Sequence, residues 1–201
     1  SQAWMRVVGR VALPLFAWGI AVGAEHTRDI RRYALRLFWL LLISQPFYMG
    51  ALSHPITTID PFASLKLNIF ATLLLGLIGI WGLKEKKEWM TVLALLLAQT
   101  LSMDYGLRGV LCILLLWAVR DRPFWLAVLF SAYCVVWGDG SGSVLKTPYF
   151  DVKLQTTAIL ALPLMLWPSA RRTKTPRWLM YAMYPGHLAV LWILRELLRC
   201  K

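Results

Sequence analysis

The chain has 201 residues, 59% of them apolar, and only ten residues are Asp or Glu. With a mean hydropathy of +0.59, this composition excludes an ordinary water-facing surface and predicts one integral membrane domain over residues 1 to 201. The formal charge of +12 does not indicate nucleic acid, because the basic residues flank apolar stretches, where anionic lipid headgroups are the default partner.

Eight apolar stretches predict an all-α fold, a polytopic transmembrane helical bundle of about eight helices. A bilayer core about 30 Å thick requires about 20 mainly apolar residues per helix. The predicted spans are residues 8 to 24, 30 to 50, 66 to 83, 88 to 103, 107 to 120, 123 to 138, 154 to 168 and 177 to 198. Cys112 and Cys134 lie in these spans without paired spacing, so neither a disulfide framework nor a metal site is expected.

Basic residues alternate in density between successive loops. The loops after the first, third, fifth and seventh spans carry twelve Lys and Arg residues, whereas the intervening loops carry four. Cytoplasmic loops are enriched in Lys and Arg, so the richer set is expected on the cytoplasmic side.

The first two spans contain arginines that the bilayer core disfavours. Arg10 either extends from a helix end toward the headgroups or serves inside the bundle. Arg28, Arg32 and Arg36 follow one another at four-residue steps and share one helical face. That face is suited to the phosphates of a polyanionic ligand, and equally to lipid phosphates as an anchor.

Further polar side chains interrupt the spans or mark their ends. Those expected to line an interior cavity are Ser44, Gln45, Tyr48, Asn68, Tyr105 and Tyr184. Asp104 lies at an outer helix junction, where it either caps the next helix or accepts a proton. His26, in the first cytoplasmic loop, is either an ordinary exposed histidine or a cofactor contact.

The last span contains a histidine near the middle of the bilayer. Pro185 and Gly186 precede His187, and a proline at this depth predicts a kink that opens toward a cavity. A neutral imidazole there can take a proton from a nucleophile and return it. The alternative is a histidine that is simply hydrogen-bonded between helices.

In its order of motifs, the chain resembles the TraX family of integral membrane acetyltransferases. The residues that carry the resemblance are Gly9, Arg10, Pro14, Leu15, Phe16, Gly23, His26, Thr27, Arg28, Tyr33, Arg36, Leu37, Ser44, Gln45, Pro46, Tyr48, Leu67, Asn68, Ile69, Phe70, Tyr105, Gly106, Gly109, Tyr181, Tyr184, Pro185, His187 and Leu188. The resemblance implies a multi-pass enzyme of the bacterial cytoplasmic membrane. Such an enzyme would transfer acetyl from acetyl-CoA to an amine such as a pilin amino terminus, in pilus assembly and conjugation.

The resemblance also implies roles for the polar residues. His187 would be the general base on the acceptor amine or a proton relay, Arg10 would stabilise the thioester or its oxyanion, and Asp104 would be a further catalytic group. The expected cofactor-binding residues are His26, Arg28, Arg32 and Arg36. Membrane lipids and pilin, or another membrane-associated acceptor, are the expected partners.

One departure from the family pattern bears on activity. Family members begin with a further helix that carries an Asp-His pair, and this sequence has no such helix ahead of Val8. If that pair is catalytic, the chain is expected to be a truncated or an inactive enzyme. Two other functions stay open from the sequence: a small transporter or channel, and a non-catalytic scaffold for pilus or secretion assembly.

Overall fold

A computed structural model describes residues 3–52, 66–139, 144–146 and 151–167, together with positions 184, 186, 188–190 and 193. The helices in chain order are α1 (Ala3–His26), α2 (Ile30–Leu52), α3 (Ile69–Lys84), α4 (Glu88–Thr100), α5 (Gly106–Val119) and α6 (Pro123–Asp139). They are followed by strands β1 (Val144–Lys146) and β2 (Asp151–Lys153), a 3-10 helix (Leu154–Ala161) and α7 (Leu162–Leu166). The predicted helical architecture is confirmed.

Two features between residues 144 and 166 differ from the predicted pattern. Strands β1 and β2 form an antiparallel hairpin in which Leu145 pairs with Val152, where only a loop was expected. The expected seventh span is a 3-10 helix that gives way to a short α-helix. Pro163 lies in the first turn of that α-helix, where its missing N–H is tolerated and its fixed backbone angle starts a new segment.

Local signals in the sequence explain two helix starts. The Asp29 carboxylate accepts hydrogen bonds from the backbone N–H groups of Arg31 and Arg32, at 3.0 and 3.1 Å, and so caps α2. The Asn68 side chain accepts from the Phe70 N–H at 2.9 Å and caps α3 in the same way. Both caps satisfy N–H groups that have no partner inside the helix.

Helices α1, α3 and α5 form the centre of the bundle. Leu13, Leu77 and Ile113, one from each of these helices, are fully or almost fully buried. A methyl group added at Gly76 would lie 2.4 Å from the Ile113 side chain, so α3 and α5 approach each other too closely for any larger residue there.

The outer surface is strongly apolar. Phe124 and Val136 of α6 are 70% and 71% exposed, and Leu96 of α4 is 59% exposed. Within the described residues, however, no helix combines the length and the apolar content needed to cross a membrane. The expected membrane crossings stay a prediction.

The described basic loops meet at one end of the bundle. Lys84 and Arg120 both lie within ion-pair distance of Glu25, at 3.4 and 3.5 Å, and Arg31 lies over the Trp81 ring. We call this the basic end. The opposite end contains the start of α1, the end of α2, the start of α3 and the turn between α4 and α5.

Candidate functional site

A short backbone bridge brings two distant segments together at the end opposite the basic end. The Leu67 N–H donates to the Ser102 carbonyl at 2.8 Å, and the Asp104 N–H donates to the Leu67 carbonyl at 3.2 Å. As a result, the side chains that flank the bridge meet, with Lys66 Nζ 3.3 Å from Asp104 Oδ1. Gly106, at φ +47°, allows the tight turn that leads from Asp104 into α5.

The end of α2 supplies the other partners of this pair. Tyr48 is buried, with 1% of the residue exposed, and its hydroxyl donates to Asp104 Oδ1 at 2.5 Å. Gln45 holds the segment that carries Lys66: its Nε2 donates to the Lys66 carbonyl at 2.8 Å, and its Oε1 accepts from the Asn68 N–H at 3.2 Å. Asp104 therefore accepts from Tyr48 instead of capping α5, which has no side-chain cap.

Asn68 and Ser44 lie beside this group and differ in how their polar atoms are satisfied. Asn68 is fully buried, and its Nδ2 donates to the Leu41 carbonyl at 3.1 Å while its Oδ1 caps α3. These contacts give Asn68 a structural role in joining α2 to α3. Ser44 is also fully buried, but its Oγ has no hydrogen-bond partner in the part of the chain that the structure describes.

Arg10 and Tyr105 form the second half of the site. The Arg10 side chain lies close enough to the Tyr105 hydroxyl to influence the pKa of that phenol. Burial, followed by the nearby negative charge of Asp104, raises the pKa of Tyr105, and the contact with Arg10 only partly offsets this rise. Tyr105 therefore stays a neutral hydroxyl at physiological pH.

Tyr184 borders the same region from the last part of the chain. Its ring packs edge-to-face on Phe70, with centroids 5.0 Å apart, and its hydroxyl lies near the Ile69 backbone. His187, the expected general base, lies outside the described residues. Its role stays a prediction.

The residues gathered here are named the Asp104 cluster: Arg10, Gln45, Tyr48, Lys66, Asp104 and Tyr105. The cluster contains one carboxylate that can accept a proton, together with two cations and two phenols that can donate hydrogen bonds to a developing negative charge. Among the described residues, no three His, Cys, Asp or Glu side chains are grouped to hold a metal ion.

An apolar groove approaches the cluster from the side. It has a volume of about 200 Å³, and its lining comes from α1, α2, α3 and Tyr184. Tyr33, near the start of α2, and Tyr184, beside Phe70, mark its two ends, with Phe16, Leu37 and Leu73 between them. The groove therefore extends along the bundle from the neighbourhood of the first basic loop toward the Asp104 cluster.

The expected cofactor-binding residues are at the basic end. Arg28, Arg32 and Arg36 are exposed, and Arg32 pairs with Asp29 at 3.0 Å. None of the three lines the apolar groove or the second described pocket. The structure does not bring these arginines together with the Asp104 cluster, and their cofactor role stays a prediction.

His26 does line that second pocket, of about 230 Å³, together with Trp18, Glu25 and Arg120. Its Nδ1 lies 2.9 Å from the Val22 carbonyl, so Nδ1 carries the proton and donates this bond. The Nε2 atom of a neutral His26 is then an acceptor.

Two residues of these sites were not singled out from the sequence. In the sequence, Lys66 looks like an ordinary lysine at the start of the third predicted span. Its one distinguishing feature is that residues 51 to 65 contain no other Lys or Arg. Glu25 was also missed, although a lone carboxylate at the end of an apolar stretch is a signal for a buried partner. Its partners are Lys84, Arg120 and the Trp117 indole N–H, which donates at 2.7 Å.

Comparison with known proteins places the chain in a family. It is similar to a protein of Dichelobacter nodosus described as "Probable fimbrial assembly protein FimC, serogroup H1", with 26% identity over 198 residues. The match covers 93% of this chain and 81% of that protein. No solved structure matches the chain. The model of the family described as TraX protein matches residues 1–195, and the chain therefore belongs to the TraX family.

Proposed function

We propose that the protein is an integral membrane acyltransferase that transfers an acetyl group from acetyl-CoA to a primary amine, such as the amino terminus of a pilin. Membership of the TraX family and the similarity to a fimbrial assembly protein support a pilus-related role. The observation that carries the proposal is the Asp104 cluster, in which a carboxylate, two cations and two phenols from distant parts of the chain converge.

Two observations support a multi-pass location in the bacterial cytoplasmic membrane. Large apolar side chains such as Phe124 and Val136 are mostly exposed, which is costly in water and favourable in lipid. The loops that carry Arg28, Lys84 and Arg120 meet at one end of the bundle, as the cytoplasmic loops of a membrane protein would. In this orientation the basic end faces the cytoplasm.

The cluster can support acyl transfer in one addition and one elimination step. Asp104 accepts a proton from the acceptor ammonium, and the neutral amine attacks the thioester carbonyl carbon to form a C–N bond. Arg10 and the Tyr105 hydroxyl donate hydrogen bonds to the oxyanion that forms on the carbonyl oxygen. When the C–S bond breaks, the leaving thiolate takes the second amine proton, and the products are an amide and free CoA.

The donor must bridge the two ends of the bundle. Arg32 and Tyr48 lie sixteen residues apart on α2, which at 1.5 Å per residue is about 24 Å. In the proposal, Arg28, Arg32 and Arg36 bind the phosphates at the cytoplasmic side, and His26 contacts another part of the cofactor. The apolar groove from Tyr33 to Tyr184 accommodates the acyl-bearing arm, and His187 relays protons.

The test uses purified protein in nanodiscs, acetyl-CoA and a peptide with a pilin amino terminus, with the acetylated peptide measured by mass spectrometry. We expect turnover by the native protein and a loss of about 100-fold or more in Asp104→Asn, the usual contribution of a general base. Glu85→Gln is the matched control, because Glu85 is an exposed carboxylate whose partner, Lys87, is 3.9 Å away. If Asp104→Asn kept the turnover of Glu85→Gln and of the native protein, Asp104 would not be the general base.

The same purified protein, placed in the appropriate membrane system, distinguishes the proposed enzyme from a transporter and from a scaffold. A transporter would take up solute into proteoliposomes without consuming acetyl-CoA. A scaffold would show no saturable heat on titration with acetyl-CoA. Either result, without acetylated peptide, would overturn the proposed activity.

A further inference from the structure

We propose that Lys66 is itself an acyl acceptor of this site, and that its Nζ atom becomes acetylated when donor is present without a competing amine. This inference rests on the proposed function, because the donor is the same thioester. It names a modification site and the chemical class of the acceptor, a primary amine held beside a carboxylate.

The geometry presents the Lys66 amine to the cluster in a fixed way. Its Nζ lies 3.3 Å from Asp104 Oδ1, and its side chain is 40% exposed, so a donor can reach it. The backbone beneath it is held by the Gln45 side chain and by the bridge between Leu67 and Met103. The amine therefore occupies the position beside the proton acceptor that an acceptor substrate must also occupy.

Lys84 provides an internal comparison. Its Nζ is likewise paired with a carboxylate, Glu25, at 3.4 Å, and its side chain is 33% exposed. It also donates to the Ala24 carbonyl at 2.9 Å, and it lies at the basic end, away from Arg10 and Tyr105. Two lysines of similar exposure and pairing therefore differ in whether Arg10 and Tyr105, the groups assigned to the oxyanion, are nearby.

The step is balanced with the thioester as the only co-reactant. Lys66 Nζ gives one proton to Asp104 and attacks the carbonyl carbon of the donor. Arg10 and Tyr105 stabilise the oxyanion, the C–S bond breaks, and the thiolate takes the second proton from nitrogen. The products are an N-acetyl-lysine and free CoA, and the ion pair with Asp104 is lost because the amide has no charge.

The experiment measures acetylation at each lysine by peptide mass spectrometry after incubation with isotope-labelled acetyl-CoA alone. We expect Lys66 to be labelled at least about tenfold faster than Lys84, and Asp104→Asn to lower labelling at Lys66 by about 100-fold. Chemical acetylation makes the opposite prediction, because removing the Asp104 charge frees the Lys66 amine and labelling should hold or rise. Equal labelling of the two lysines, or undiminished labelling in Asp104→Asn, would overturn the inference.

Lys66→Arg checks the assignment in protein that keeps the ion pair. The label at position 66 should disappear, while Lys84 and the other lysines keep the labelling rates that they have in the native protein. Native protein that acetylates the peptide but never Lys66 would refute this inference and leave the proposed function intact. Native protein that acetylates neither would refute both.

Discussion

Tyr48 and Asp104, fifty-six residues apart in the chain, are joined by a hydrogen bond of 2.5 Å from the phenol to Oδ1 of the carboxylate. The same oxygen lies 3.3 Å from Lys66 Nζ, so Oδ1 has both a neutral hydrogen-bond donor and a cation beside it. In Tyr48→Phe, Asp104 keeps its charge and the ion pair but loses a fixed orientation. We expect peptide acetylation to fall about tenfold and the free energy of unfolding to drop by about 1 to 2 kcal/mol.

Tyr133→Phe is the matched control for that variant. The Tyr133 hydroxyl also donates a hydrogen bond of 2.5 Å, but its acceptor is the Arg108 backbone carbonyl, outside the cluster. This control should lose a similar amount of stability, measured by thermal unfolding in detergent, with turnover unchanged. If both variants lose turnover in equal proportion, the Tyr48 contact acts only through stability.

A second prediction concerns the cofactor role expected for the exposed arginines of α2. If Arg36 contacts the phosphates of acetyl-CoA, Arg36→Gln should weaken binding about 10- to 100-fold, as expected for one charge-assisted hydrogen bond. Arg31→Gln is the control, because Arg31 lies over the Trp81 ring, 5.8 Å from its centroid. Calorimetry at two salt concentrations measures both. Unchanged affinity in Arg36→Gln would contradict the cofactor role and favour the alternative, in which these arginines bind lipid phosphates.

Polar side chains inside apolar stretches could be recognised from the sequence, because burying a polar group without a partner is costly. Gln45 and Tyr48 belong to this class, and the structure joins Tyr48 to Asp104 and Gln45 to the backbone of Lys66 and Asn68. Lys66 could not be recognised in this way. Its place beside Asp104 depends on the backbone bridge between Leu67 and Met103, a contact between distant segments that no local pattern encodes.

The arginine face shows a second limit of the sequence. The four-residue spacing predicts one helical face for Arg28, Arg32 and Arg36, but Arg28 precedes α2, which begins at Ile30, so only Arg32 and Arg36 share a side of that helix. The spacing also does not reveal which side packs. In the structure α2 packs through Leu37 and Ser44, and the arginines are exposed. The 3-10 helix from Leu154 was likewise unpredictable, since its apolar composition suits an α-helix equally well.

A third prediction concerns the close contact between α3 and α5 under the cluster. A methyl group at Gly109 would lie 2.5 Å from Thr72 Cγ2 and 2.7 Å from Tyr105 Cβ. Gly109→Ala should therefore lower the free energy of unfolding by about 1 to 3 kcal/mol and shift Tyr105 away from Arg10.

Gly19→Ala should change the free energy of unfolding in the opposite direction, measured in the same assay. Nothing lies within 4 Å of a methyl group at Gly19, so alanine should stabilise α1 by about 0.5 to 1 kcal/mol. Thermal unfolding in detergent measures both variants. A Gly109→Ala variant as stable as the native protein would show that α3 and α5 can separate without cost.

The last prediction concerns pH and the ion pairs of Glu25. Burial by itself raises the pKa of Glu25, but the hydrogen bond from Trp117 and the charges of Lys84 and Arg120 outweigh it and lower the pKa below its ordinary 4.5. The unfolded chain then binds the proton more readily than the folded one. The stabilisation is therefore complete above pH 4.5 and is lost as the pH falls through the lowered folded pKa.

Glu25→Gln removes this dependence. At neutral pH the variant should be about 1 to 2 kcal/mol less stable than the native protein, and the difference should shrink as the pH falls through the lowered pKa of Glu25. Glu85→Gln, which alters an exposed pair, should differ little from the native protein at any pH. Thermal unfolding across the acid range measures all three proteins. A difference between native protein and Glu25→Gln that stays constant with pH would mean that Glu25 stabilises the basic end by packing rather than by charge.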